Sequence, residues 1–545
     1  MVPLMSVRRL SAPLLQVSLD RDGAVSLQQQ LYDQIRDLIL GGRLAPGERL
    51  SSSRELSREL DCSRNTVQGA FDQLLAEGYL EGIHGSGTYV SSTLPEDLGQ
   101  MGGLSGTSGF VSRHAGPLSS AQEQPVTGRK PGEGLSDRGR LFTSFEKSLE
   151  PYFPAFTMGP DSEAFPFDLW ARVMAKSWRV PDRDLLYNPD PCGYIPLRKA
   201  IADHLRIARG LVCNWRQVMI TSGSQQAVTL MAQFLLDPGD EVWFEDPGYP
   251  GIRGPLLASG VTPVHVPVDE EGLSVKIGRE KALNARMAVV APSHQYPLGT
   301  VMSLTRRLEL LDWAEEQGSW IFEDDYDSEF RYTGKPLSSL QGLEAERRAQ
   351  SLGAKRFRDS EDLANQLKAG GRVIYLGSFT KALFPAIRLG YVVVPDDLVD
   401  MVAKARVSVE DRTSLVAQPA LARFMAEGHF AAHIRRMRRI YGQKQKTLIE
   451  SLQRHCRDYL EIRPDEVGLH LVCDFKPSLK KSGLRDTELA ARANSFDLSL
   501  RPLSVFYEEI KPVRQGLLLG YGSCPEKIID QSVQRLKSLI ETVGQ

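Results

Sequence analysis

Five short runs of β-branched and aromatic residues recur through the middle of the chain, at Gln217-Val218-Met219-Ile220, Glu241-Val242-Trp243-Phe244, Met287-Ala288-Val289-Val290, Trp320-Ile321-Phe322 and Arg372-Val373-Ile374-Tyr375, with helix-length stretches between them. No other feature constrains the fold as strongly, because strands linked through helices pair in parallel and bury both faces of the sheet. The expectation is an α/β domain over 141–545, with a large, mostly parallel sheet at about 180–410 and a smaller C-terminal α+β part at about 411–545. A chain of 545 residues has room for more than this one unit.

A second unit is legible at the N-terminus. Leu27, Leu31, Ile35, Leu38 and Ile39 follow a helical period that Gly41-Gly42 ends. Ser52 or Ser53 can cap a second helix running to about Leu60, and Ser63 a third running to about Glu77, with Cys62-Ser63 as the turn between them. Tyr79-Leu80 and Thr88-Tyr89-Val90 then read as two short strands joined by a glycine-rich tip. Residues 25–93 therefore predict a winged helix-turn-helix. From about 94 to 140 the composition turns to Gly, Ser, Pro and Gln without any sustained period, the pattern of a long flexible linker. The charged stretch between Gly342 and Gly371, with Glu344-Ala345-Glu346-Arg347-Arg348 and Lys355-Arg356-Phe357-Arg358, reads as an exposed insertion.

Bulk charge is uninformative, since the net value of −2 points to neither nucleic acid nor membrane. Six cysteines lie far apart without metal-ligand spacing, so no metal site is expected and they read as buried thiols of a reducing cytoplasm. Arg8 and Arg9 precede no uninterrupted apolar core, and no run approaches the roughly 18 apolar residues of a membrane span. The chain is expected to be soluble, cytoplasmic and without a membrane partner.

The chemistry-bearing residues sit where the predicted strands end. Lys381 lies three residues after Ser378 and seven before Arg388. A lysine that forms a Schiff base with pyridoxal 5′-phosphate needs a lowered pKa and nearby donors for the phosphate dianion, and Ser378 and Arg388 can supply those donors. Alone, Ser-x-x-Lys equally describes a solvated loop. Thr221-Ser222-Gly223-Ser224-Gln225-Gln226-Ala227 follows one strand and opens a helix whose free N–H groups suit a phosphate, though a plain helix cap reads the same way. Tyr249, in a turn after the next strand, can stack on a pyridine ring or simply sit at the surface. In Glu323-Asp324-Asp325-Tyr326-Asp327 a carboxylate can pair with a protonated pyridine nitrogen and a tyrosine can contact the ring oxygen, while the glycine and spacing of a calcium loop are missing.

Taken in order, these motifs resemble the fold-type I pyridoxal phosphate enzymes of the aspartate aminotransferase kind. The resemblance implies a phosphate cup at Ser222-Gly223-Ser224-Gln225-Gln226, stacking by Tyr249, a pyridine partner in Asp324, a ring-oxygen partner in Tyr326, the Schiff base at Lys381, and phosphate contacts from Ser378 and Arg388. It also implies that Tyr194, in Asn188-Pro189-Asp190-Pro191-Cys192-Gly193-Tyr194, reaches the neighbouring subunit's site. Two positions depart from that family. Tyr296 precedes Pro297 where aminotransferases usually place an asparagine, and Gln515-Gly516-Leu517-Leu518-Leu519-Gly520-Tyr521 lacks the usual late arginine, for which Arg501 is a substitute. Transamination is therefore expected to be weak at most.

Ser63, Arg64, Asn65 and Thr66 open the third helix, where side chains reach major-groove edges, and Arg64 has the geometry for a bidentate guanine contact. Arg54 reads as a phosphate anchor and the tip His84-Gly85-Ser86-Gly87 as a wing entering the minor groove. Against this, residues 21–93 hold seven arginines, no lysine and ten carboxylates, a net charge of −3 that leaves open a winged helix used for protein contact. Leu50-Ser51-Ser52-Ser53-Arg54-Glu55-Leu56, Cys62-Ser63-Arg64-Asn65-Thr66-Val67 and Glu77-Gly78-Tyr79-Leu80 resemble the winged helix of the GntR family. The two halves together resemble its MocR subgroup of bacterial transcription regulators. That resemblance implies a pyridoxal phosphate-responsive regulator of vitamin B6 or amino-compound metabolism. Its partners would be double-stranded operator DNA and an amino-compound effector, and its assembly a head-to-tail homodimer. The alternative is a working pyridoxal phosphate-dependent aminotransferase with an accessory N-terminal domain.

Overall fold

The computed structural model describes residues 17–21, 25–83, 86–92, 136, 139, 155–334, 338–351, 363–364, 367, 370–463, 465–511 and 513–543. They fall into two compact units, one within 1–128 and one within 129–545. The linker expected over 94–140 lies outside the described residues but for Ser136 and Gly139, as do His84 and Gly85.

In the first unit, helix α1 (Leu27–Leu40) buries Leu31, Tyr32, Ile35, Leu38 and Ile39 against α3 (Arg64–Ala76). Helix α2 (Ser53–Glu59) starts in a capping box: Ser52 Oγ accepts from Glu55 N–H at 3.3 Å while Glu55 Oε2 accepts from Ser52 N–H at 3.0 Å. Ser63 caps α3, accepting from Thr66 N–H at 3.0 Å. Strands β1 (Leu80–Ile83) and β2 (Gly87–Val90) pair antiparallel as the wing. Helix, helix-turn-helix and hairpin follow one another as the sequence predicts.

The second unit is built on an eight-stranded sheet of order β3-β10-β9-β8-β7-β4-β5-β6, from β3 (Val218–Thr221), β4 (Glu241–Asp246), β5 (Thr262–Asp269), β6 (Gly272–Leu273), β7 (Met287–Val290), β8 (Trp320–Asp325), β9 (Val373–Ser378) and β10 (Gly390–Val393). The pairs β4-β5, β4-β7, β7-β8 and β8-β9 are parallel, and β10 runs antiparallel between β9 and β3. Continuous burial of β3, β7 and β10 is what a sheet covered on both faces requires. Helix α4 (Ser224–Leu235) packs on one face through Ala227, Val228 and Met231. A four-stranded antiparallel sheet, order β11-β12-β14-β13, follows in β11 (Leu460–Arg463), β12 (His470–Phe475), β13 (Arg501–Pro502) and β14 (Gly516–Gly520).

The reading of 342–371 as an exposed insertion is corrected in its first part. Helix α5 (Leu340–Ser351) buries Ala345 and Ala349 in a small cluster with Val212, Leu363, Ala364 and Leu367. Gln341 exchanges two hydrogen bonds with the Val212 backbone, at 2.9 and 2.8 Å, and the buried Glu323 carboxylate accepts from Leu340 and Gln341 N–H at the start of the helix. Glu346 is exposed on this packed helix, whereas the Glu344 carboxylate turns inward and accepts from Arg372 N–H; residues 352–362 lie outside the described residues.

Candidate functional site

Because β3, β4, β8 and β9 point the same way, the loops that follow them open at one edge of the sheet, where ligands of open α/β folds bind. A cavity of about 270 Å³ lies there. It is lined by Ser224 and Gln225 at the start of α4, Tyr249 after β4, Asp324 and Tyr326 at the end of β8, Ser378 and Lys381 after β9, and Arg388 before β10. These eight of the residues expected to contact a cofactor share this one space.

Its two ends differ in chemistry. At one end Gly223 precedes α4 with φ +121°, open to glycine but strained for other residues, and a side chain there would approach the Arg388 guanidinium to 4.0 Å. The helix N-terminus, Ser378, Thr380 and Arg388 thus form a compact cradle of donors. Ser378 also caps a short helix, α6 (Phe379–Ala382), by accepting from Thr380 N–H at 3.2 Å, which fixes where Lys381 emerges. Ser222 and Gln226 turn away to a neighbouring opening, where Ser222 N–H donates to Gln226 at 2.5 Å. Of the motif 222–226, only Gly223, Ser224 and Gln225 line the cavity.

At the other end Asp324 is buried and its Oδ1 has no hydrogen-bond partner among the described residues. Burial, reinforced by Asp325 and Asp327, pushes this carboxyl up to about 8. Desolvation inside the cavity and the Arg501 charge lower the pKa of Lys381, with Asp327 opposing, so its amine is biased toward the neutral, nucleophilic form. An orphaned carboxylate, a desolvated lysine and a cradle that a side chain would fill fit pyridoxal phosphate at its nitrogen, aldehyde and phosphate.

Beneath the cavity lies a cluster with no local signature in the sequence. His294 Nδ1 stands 2.8 Å from Asp327 Oδ2 and 3.0 Å from the Tyr326 hydroxyl, while its Nε2 stands 2.6 Å from Asp465 Oδ2 in the loop before β12. Burial opposes charging His294, but Asp327 and Asp465 outweigh it and raise its pKa well above the ordinary value. Both ring N–H groups then donate, and Tyr326 keeps its own proton for the cavity. His470, 5.4 Å away, is pushed down to about 4 by burial and by this cation, and stays neutral. No local motif joins residues 171 positions apart.

Both departures from the aminotransferase pattern are at the cavity wall. Tyr296 lines it with its ring 5.4 Å from Tyr249 and 5.3 Å from Phe506. In the antiparallel pair β13-β14, Arg501 stands opposite Leu518, so the cavity receives its guanidinium from the strand beside the one that lacks an arginine. Among the described residues Arg501 has no ion-pair or hydrogen-bond partner, so its donors are available to a ligand.

In the first unit Arg54, Arg64 and Asn65 are exposed at the starts of α2 and α3. The Ser63 and Thr66 hydroxyls lie 2.8 Å apart within the cap, which leaves Arg64 and Asn65 as the free side chains of the first turn.

Comparison with known proteins joins the halves. The family described as bacterial regulatory proteins, gntR family, matches residues 27–90, and aminotransferase class I and II matches residues 163–501. A probable rhizopine catabolism regulatory protein, MocR, from Rhizobium meliloti is 36% identical over 95% of this chain and 95% of its own. The chain belongs to the MocR-type regulators. This MocR-type regulator is also 30% identical, over 94% of its length and 95% of the other, to the pyridoxine biosynthesis transcriptional regulator PdxR of Corynebacterium glutamicum. Its second unit is similar to α-aminoadipate aminotransferase LysN of Thermus thermophilus, with 26% identity, TM-score 0.60, and 72% and 92% of the two chains covered. The MocR-type chain is thus a DNA-binding transcription regulator of the GntR family that carries an aminotransferase-like domain from a pyridoxal phosphate-dependent family. Among the described residues no helix is long and apolar enough to cross a membrane.

Proposed function

We propose that this regulator holds pyridoxal phosphate in the 270 Å³ cavity, covalently at Lys381 Nζ, and that occupancy of the cavity sets its affinity for operator DNA. The observation that carries the reading is the unpartnered, buried Asp324 Oδ1 in the same cavity as a desolvated lysine. Asp324 would face the pyridine nitrogen, Tyr326 the ring oxygen and Tyr249 the ring, with Gly223, Ser224, Gln225, Ser378 and Arg388 around the phosphate. When bound, the cofactor supplies an aldehyde carbon that condenses with amines. Burial lowers the Lys381 pKa and so favours the amine form that condenses, and Arg501 presents donors to the anionic group of an amino-compound effector. Arg54, Arg64 and Asn65 contact operator DNA, and the chain acts as a head-to-tail homodimer. Relatives named for pyridoxine biosynthesis and for rhizopine catabolism support control of genes in vitamin B6 or amino-compound metabolism.

The test is spectroscopic. Wild-type protein titrated with pyridoxal phosphate should acquire a visible absorption band that borohydride fixes to the chain. Lys381→Ala should lose the band and the covalent label while keeping its far-ultraviolet circular dichroism. A wild-type protein that takes up no label refutes the cofactor reading. Rapid multiple turnover with an amino acid and a keto acid would instead favour a working aminotransferase.

A further inference from the structure

Specific DNA binding draws much of its strength from phosphate contacts, yet residues 21–93 carry a net charge of −3. Positive charge is concentrated elsewhere. Helix α7 (His429–His455), in the second unit, carries Arg435, Arg436, Arg438, Arg439, Lys444 and Lys446 before its first carboxylate, Glu450. Its inner side is committed to the fold: Ile434, Met437, Tyr441 and Leu448 are buried, Lys444 pairs with Asp161 at 2.8 Å, and Arg438 donates to the Glu329 carbonyl.

The outer side is different. Arg435, Arg439 and Lys446 are exposed and separated by four and seven residues, which puts them on one face. Arg435 and Arg439 have no carboxylate within ion-pair distance among the described residues, and Lys446 has only Glu450 at 3.9 Å. Some exposed arginines of this unit are paired, as Arg485 is with Glu488 and Arg535 with Asp497, and others such as Arg172 and Arg286 stand alone among the described residues; Arg435 and Arg439 are set apart by lying one helical turn from each other and in line with Lys446. A solvated protein face ordinarily interleaves the two signs; here no carboxylate occurs in the sequence from Arg435 to Lys446, and Glu450 follows only at the end. The stripe is about 16 Å long at the helical rise, and a duplex carries one negative charge per about 1.7 Å of its axis.

We infer that the Arg435-Arg439-Lys446 face of the aminotransferase-like unit is a second DNA surface, binding the phosphate backbone of duplex outside the segment read by the winged helix. It recognises charge and spacing, without base contacts, and supplies the electrostatic attraction that the acidic winged helix lacks.

The experiment uses full-length protein on two duplexes from the footprinted operator, one trimmed to the bases protected at the winged helix and one extended on both sides. Each released counterion contributes about 0.9 to the slope of log affinity against log salt. The variant Arg435→Gln/Arg439→Gln/Lys446→Gln should flatten the slope on the extended duplex by about two to three. Between 50 and 200 mM salt that is a change of roughly 40-fold in relative affinity if all three make contacts. On the trimmed duplex the slope should stay as in wild type. Gln443→Lys, which adds a cation to the same exposed face, should steepen the extended-duplex slope by about one and keeps the test decisive if the triple variant folds poorly. Wild-type slopes on the extended duplex for both variants overturn the inference. So does a changed transcriptional output with unchanged DNA binding, which would assign the face to a protein instead.

Discussion

Replacing His294 with alanine removes the cation held between Asp327 and Asp465, whose oxygens lie 2.8 and 2.6 Å from its ring nitrogens. The three side chains are 1%, 3% and 16% exposed, so the carboxylates left behind are poorly solvated. Breaking a buried pair in this way strands a charge and costs about 3–5 kcal/mol. For a unit of about 400 residues, unfolding with roughly 2.1 cal/mol/K per residue, this is a fall in melting temperature of roughly 4–6 °C. The dependence on pH has a definite sign. A histidine whose folded-state pKa is raised contributes its stability in full below its unfolded value of about 6.5 and loses it as pH rises through the folded value. The gap between wild type and variant should therefore be widest near about pH 6 and narrow on the alkaline side. Scanning calorimetry on the full chain measures it. The variant His294→Ala/Asp327→Asn/Asp465→Asn leaves no charge stranded and should melt well above His294→Ala. If the triple variant melts below the single one, or the single variant melts with wild type, the reasoning fails.

Asp324→Asn removes a charge-assisted contact worth about 1.5–3 kcal/mol, so pyridoxal phosphate affinity, read by absorption titration, should fall roughly 10- to 150-fold. In cofactor-free wild type, Asp324 retains its proton up to about 8 while the unfolded chain releases it near about 4, so stability declines as pH rises between these values; the asparagine variant should show a flatter decline. Arg64→Ala should abolish the operator footprint and leave the cofactor spectrum unchanged, and an unaltered footprint would remove Arg64 from the reading surface. Ser63→Ala should lower the stability of the first unit by about 0.5–2 kcal/mol in urea melts. Arg501→Gln should weaken the response to acidic amino compounds more than to neutral amines in a cofactor-exchange titration; equal weakening would argue against an anion site.

The parts legible in the sequence were those encoded locally. Strand runs, the serine caps at Ser52 and Ser63, and the loop residues from Ser224 to Arg388 each announce themselves within a few positions, and the parallel topology then gathers the loops at one edge. What the sequence hid was encoded at long range or in small residues. His294 and Asp465 meet only because the loop before β12 folds back against the large sheet. Helix α5 looked like a charged excursion because its inward face is made by Ala345 and Ala349, too small to register as an apolar stripe. Arg501 is legible as a cation in the sequence, but its place opposite Leu518 follows from strand register.

The His294 contacts also bear on how a filled cavity is felt by the rest of the unit. Tyr326 presents its hydroxyl to the cavity and its oxygen to the same Nδ1–H that Asp327 holds, and the far side of that ring grips the loop ahead of β12. A molecule that takes a hydrogen bond from Tyr326 therefore draws on a proton-sharing chain whose last member belongs to the small sheet. The His294 imidazole is therefore one of the links between the two sheets, and three side chains span the distance from the cavity to the loop ahead of β12.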